Sequence, residues 1–138
     1  MWFDLMKNFD TPYFSKSLSE FWKRWHISLS SWFRDYLYIP LGGNRGGERQ
    51  TYRNLALVFL LCGLWHGASW NFIIWGLFHG GLLVLERAAL TVRLEKTFRP
   101  LRHLYVLAIV LSGWVLFRVE TLPQTMAVLS ALVGMAPG

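Results

Sequence analysis

His66 is the residue in this chain best suited by type and setting to do chemistry. It stands in NLALVFLLCGLWHGASWNFIIWGLFHGGLLVLER, residues 54–87, where no side chain carries a fixed charge before Glu86. An imidazole has a reference pKa of about 6.5, so it can take up or release a proton near neutral pH. Taking a neutral polar group out of water without a partner costs roughly 2–7 kcal/mol. A His within a membrane-grade run therefore reads as a functional residue by default. The other reading is a His that hydrogen-bonds a neighbouring helix and has no further role. Most other chemistries are missing from the sequence. No Cys/His cluster has zinc spacing, no carboxylates are paired, and no Gly-x-Ser-x-Gly elbow occurs. The Gly-rich stretch 42–50, GGNRGGERQ, lacks the Gly-Lys-Ser/Thr of a phosphate-binding loop. Cys62 is the single cysteine, so no intrachain disulfide can form and the redox compartment stays open.

The elements that must hold His66 follow from the same stretch. Residues 54–65 are apolar but, at about 12 residues, too short to cross a ~30 Å hydrocarbon layer at 1.5 Å per residue. Residues 69–85 approach that length, and the whole stretch is over-long for one straight span. Two helices broken near His66–Gly67 fit better, with Gly67 allowing the turn and Ser69 as N-cap of the second. Irregular backbone at membrane depth is tolerated only where protein buries it or a cavity wets it, so the break puts His66 beside a cavity. On the second helix, Gly76, Gly80 and Gly81 suit close packing, and His79 reads as a packed, hydrogen-bonded His.

Upstream, Ser17 and Glu20 have the spacing of a capping box. Leu18, Phe21, Trp22, Trp25, Leu29, Trp32 and Phe33 then recur every three or four residues, one face of an α-helix. A Trp-rich face beside basic residues suits an interfacial helix; a core helix of a soluble protein gives the same pattern. His26 lies on the edge of that face. Pro40 ends any helix in DYLYIPL, residues 35–41, and GGNRGGERQ reads as a flexible polar connection. Residues 86–103 form a basic linker suggesting the cytoplasmic side. Apolar runs follow at 103–117, short for a span and closed by Arg118 and Glu120, and at 125–135.

Composition points the same way. Of 138 residues, 54% are apolar and only 16% charged, with eight Trp, whereas soluble proteins average about 25% charged. The net charge of +6 clusters beside apolar runs, unlike the polar basic surface of a nucleic-acid binder, so no nucleic-acid partner is expected. Residues 1–10 alternate polar and apolar types and show no secretory signal. The expectation is an all-α, polytopic membrane helical bundle with an interfacial amphipathic helix. It forms one membrane-embedded region over 1–138: a motif-bearing part at 9–90, the linker at 86–103 and C-terminal membrane helices at 103–138. The lack of a hydrophobic segment at its start reads as the late portion of something longer.

Two stretches taken together, FWKRWHISLSSWFRDYLYIPLGGNR at 21–45 and GLWHGASWNFIIWGLFHG at 63–80, resemble the membrane-bound O-acyltransferase family, in its bacterial polysaccharide-modifying branch. The resemblance covers most of residues 9–90. It implies a bundle of membrane helices, further helices upstream, and a tunnel reaching the active site from both faces. His66 matches the family's His in Trp-His-Gly, and His26 matches its second polar position, so the resemblance makes these two the catalytic pair. It also places the 35–53 region near the cytoplasmic entrance for an activated acyl donor.

Transfer of an acyl group from a thioester to a sugar hydroxyl needs a base, which typically contributes 10²–10⁴-fold. His66 is assigned that role, with His26 orienting the donor or polarising its carbonyl. Trp65, Trp70 and Asn71 are assigned to substrate binding, the two indoles as walls that exclude water. The implied reaction is acetyl transfer to hydroxyls of an exported, alginate-like polysaccharide. Alternatives are D-alanyl transfer to teichoic acid and a non-enzymatic membrane segment. No bound cofactor or metal is expected; acetyl-CoA or another thioester is a substrate. The expected partners are that donor, the polysaccharide or periplasmic acetyl-carrier proteins, and lipid. The expected location is the bacterial inner membrane.

Overall fold

A computed structural model describes residues 6–119 and 121–135. The expectations for residues 1–5, for Glu120 and for 136–138 lie outside the described residues. Among them there is no strand. Seven α-helices follow in order: α1 Leu18–Arg24, α2 Ile27–Phe33, α3 Glu48–His66, α4 Trp70–Leu85, α5 Thr91–Lys96, α6 Arg99–Arg118 and α7 Leu122–Leu132. π-helical turns at Arg34–Tyr38 and Glu86–Leu90 extend α2 and α4. The second makes α4 and α5 one continuous rod, Trp70–Lys96, of 27 residues. The linker expected after Leu85 is therefore helical through Lys96. This rod and α6 are long and apolar enough to cross a membrane, with mean hydropathies of 1.4 and 1.6. The apolar run at 103–117 is not short as a helix. Pro100 sits in the first turn, where its missing N–H costs nothing, and α6 begins at Arg99.

The centre of the bundle is an antiparallel hairpin of α3 and α4, and its glycines set the spacing. A Cβ on Gly63 would lie 2.3 Å from the Phe72 carbonyl oxygen, and one on Gly76 would lie 2.3 Å from that of Phe59. A Cβ on Gly80 would lie 3.4 Å from the Ala56 Cα. Small residues thus let the two backbones touch. Gly81 takes no part, since nothing lies within 4 Å of its Cβ position.

The single amphipathic helix expected after Ser17 is two short helices, α1 and α2. The apolar face of α1 is used up in packing. Leu18 joins Phe59 and Leu83 of the hairpin, and Phe21 joins Val106 and Val110 of α6. Its start is the expected cap in half: the Ser17 hydroxyl accepts the Glu20 N–H at 3.1 Å, but the Glu20 carboxylate accepts from Lys16 rather than from Ser17. A buried carboxylate completes the anchor. Glu86 is 3% exposed and accepts the Leu18 N–H at 2.7 Å, with the Ser19 N–H and hydroxyl each at 3.0 Å. The loop before α3 is also tied down: the Asn54 amide, fully buried, donates to the carbonyls of Leu41 and Gly43. A flexible connection was expected there, and a latched one is found.

Candidate active site

His26 occupies the break between α1 and α2. Trp25 is extended, and His26 sits in the left-handed region at φ 45°, ψ 55°. For a residue with a side chain this conformation costs roughly 1–3 kcal/mol and persists only where the surroundings enforce it. The enforcing contacts come from the preceding segment. The Asp10 N–H donates to the Arg24 carbonyl, and the Ile27 N–H to the Asn8 carbonyl, both at 2.9 Å. The Asn8 side-chain oxygen then accepts the Ser28 N–H at 3.0 Å and the Ser28 hydroxyl at 2.5 Å, capping α2 from outside. His26 Nδ1 is buried and has no hydrogen-bond partner among the described residues.

His66 is the last residue of α3, and the hairpin turns directly after it. The expected break is therefore present, for a different reason than turn geometry. Gly67 is extended, at φ 166°, which any residue can adopt; a Cβ there would meet the Phe72 ring at 2.6 Å. Glycine is required to make room for the ring. Ser69 stands at the N-cap of α4 but makes no side-chain cap bond. The His66 imidazole is half-buried. The rings of Trp75 and Phe117 stand edge to face with it at 5.5 and 5.0 Å between centroids.

Forty positions apart in sequence, His26 and His66 line one cavity of ≈590 Å³. The walls are the indoles of Trp22, Trp25, Trp75 and Trp114 with Phe117, and the lining also includes the cations Lys23 and Arg87. Arg87 lies 12 residues beyond Trp75 on one continuous rod, about 18 Å along its axis.

The three residues assigned to substrate binding do not line this cavity. Trp65 and Trp70 are 61% and 74% exposed. Trp65 still stands edge to face with the His66 ring at 4.9 Å between centroids, from outside the cavity lining. Asn71 is buried, and its amide donates to the Val119 carbonyl, joining the start of α4 to the end of α6. Trp22 and Trp25 lay on the face beside His26 and were legible as neighbours. Trp75, Trp114 and Phe117 reach the site only through packing of α4 and α6. His79 is packed, at 2% exposure, but the expected hydrogen bond is not made: its Nδ1 has no partner among the described residues. Those residues also contain no group of three His, Cys, Asp or Glu side chains placed to hold a metal.

The model of the membrane-bound O-acyltransferase family matches residues 5–122. The chain is 60% identical over 120 residues to the probable alginate O-acetylase AlgI of Azotobacter vinelandii, covering 87% of this chain and 24% of that protein. It is 46% identical over 131 residues to the peptidoglycan O-acetyltransferase of Helicobacter pylori, covering 93% and 25%. It is 43% identical over 97 residues to the teichoic acid D-alanyltransferase of Streptococcus thermophilus, covering 65% and 23%. The chain thus spans about a quarter of the length of these relatives. With the family model matched from residue 5 to residue 122, and with two imidazoles converging on one aromatic cavity, this chain belongs to the membrane-bound O-acyltransferase family.

Proposed function

We propose that the protein of which these residues are part transfers acetyl groups to hydroxyls of an exported, alginate-like polysaccharide. The observation that carries this reading is the meeting of His26 and His66 in one cavity walled largely by aromatic rings. His66 takes the proton from the sugar hydroxyl as its oxygen attacks the thioester carbonyl. The proton then passes to the departing thiolate. His26, which lines the same cavity, holds or polarises the donor carbonyl. The aromatic walls keep water from hydrolysing the activated acyl group. The cations Lys23 and Arg87 in the lining suit an anionic donor such as acetyl-CoA. In this reading the donor is a substrate and no cofactor is bound. The acceptor is the polysaccharide or a periplasmic carrier of acetyl groups, and the protein is a multi-pass component of the bacterial inner membrane.

His66→Ala in the complete protein abolishes polysaccharide acetylation while membrane insertion, read by protease accessibility, is unchanged. Acetylation at the wild-type rate in that variant removes His66 from the mechanism. Identification of the transferred group separates acetyl transfer from D-alanyl transfer.

A further inference from the structure

Trp22 lines the cavity, yet its indole nitrogen is completely enclosed and has no hydrogen-bond partner among the described residues. Its N–H edge therefore faces the packed interior, away from the open space. An indole nitrogen is a donor only, so it needs an acceptor. Four rings pack against Trp22: Phe21, Phe59, Trp75 and His79. The two Phe rings carry no nitrogen, and Trp75 is itself only a donor. His79 alone offers a lone pair.

The same conclusion is reached from His79. Its ring stands edge to face with Trp22 at 5.1 Å between centroids, and its Nδ1 is enclosed and unpartnered. Its Nε2 side is turned to α6, so close to Gly113 that a Cβ there would come within 2.3 Å of Nε2. A neutral imidazole has one donor and one acceptor nitrogen. With the proton on Nε2, toward α6, Nδ1 is left as an acceptor. The other indole touching His79, that of Trp75, is not among the enclosed unpartnered atoms.

We propose that His79 is a positioning residue of the cavity: its Nδ1 accepts the Trp22 indole N–H after a small turn of the two packed rings from the arrangement described, and so fixes the ring that walls the site between the hairpin and α1. Trp22 is three residues from the backbone break at Trp25 and four from His26. Fixing it also fixes the helix that leads into the strained His26. This role rests on the reading of the cavity as the acyl-transfer site; the pairing itself does not.

The test compares His79→Asn with His79→Leu in the complete protein. The two replacements have nearly the same shape, and only Asn can put an acceptor oxygen near the place of Nδ1. The direct readout is the indole ¹⁵N–¹H signal of Trp22, assigned by its loss in Trp22→Phe. It is expected to exchange slowly with solvent, to shift in His79→Leu and to return toward the wild-type position in His79→Asn. Acetyl transfer is expected to fall roughly tenfold in His79→Leu and less in His79→Asn, the scale of one lost hydrogen bond. In the Trp22→Phe background the two His79 variants are expected to be equally active. If the Trp22 signal is the same in His79→Leu and in the wild type, the pairing is wrong. If the signal moves but transfer is unchanged, the pairing stands and its role at the site falls. If Leu and Asn lose the same activity, His79 only fills space.

Discussion

Replacing Glu86 with Ala tests whether a buried carboxylate anchors the helix that leads to His26. Leu18 is fully buried, so its N–H can reach no water once its partner is gone. That orphaned donor costs about 1–3 kcal/mol. Ser19 is exposed, and its N–H and hydroxyl can turn to solvent, so their loss is smaller. Hydrogen bonds to a charged group contribute about 1.5–3 kcal/mol each, offset in part by relief from burying the charge. The net destabilisation worked from these contacts is about 3 kcal/mol, or roughly 10 °C in melting temperature for a chain of this length. Glu86→Gln keeps one acceptor oxygen but turns an amide NH₂ toward a donor, and is expected to fall about midway. The assay is thermal unfolding of the chain in detergent, with the proposed acetyl transfer measured in parallel on the same variant of the complete protein, since displacement of α1 carries Trp22 and His26 with it. A Glu86→Ala variant melting within roughly 1–2 °C of wild type would place Glu86 with ordinary surface charges, whose replacement stays within about 0.5 kcal/mol, and would refute the anchor.

Gly76→Ala forces the hairpin apart, because the added carbon lies 2.3 Å from the Phe59 carbonyl oxygen; the cost is about 1–3 kcal/mol. Gly81→Ala meets nothing within 4 Å and raises stability by up to ~1 kcal/mol through helix propensity. Melting curves that rank the two variants the other way would contradict the hairpin register. Cys62 lines the cavity one helical turn before His66, so direct transfer and transfer through an acyl-cysteine make different predictions. Cys62→Ala is expected to keep acetylation within severalfold of wild type; a loss on the scale of a catalytic group, roughly 100-fold or more, would show that the thiol carries the acyl group.

Sequence periodicity and charge spacing determined that the chain is helical and apolar, that its central stretch breaks near His66–Gly67, and that small residues of α4 lie at a close helix contact, which holds for Gly76 and Gly80 and not for Gly81. These are local matters: the length of an uncharged run, the small residues within it, and the impossibility of one straight span. The family resemblance singled out His26 as well, because it matches residue types in order. Packing decided the rest. Only the fold brings His26 and His66 to one cavity, and only it breaks the long amphipathic helix at His26, since the Asn8 contacts that enforce the break come from another segment. Trp65 and Trp70 are close to His66 in sequence yet exposed and outside the cavity lining, Trp65 standing edge to face with the His66 ring, while Trp114 and Phe117 approach from α6. Glu86 looked like the first charge of a cytoplasmic linker and is instead an internal cap. A side chain's neighbours along the chain follow from helix geometry, but which distant segment supplies its partner is fixed only when the helices pack.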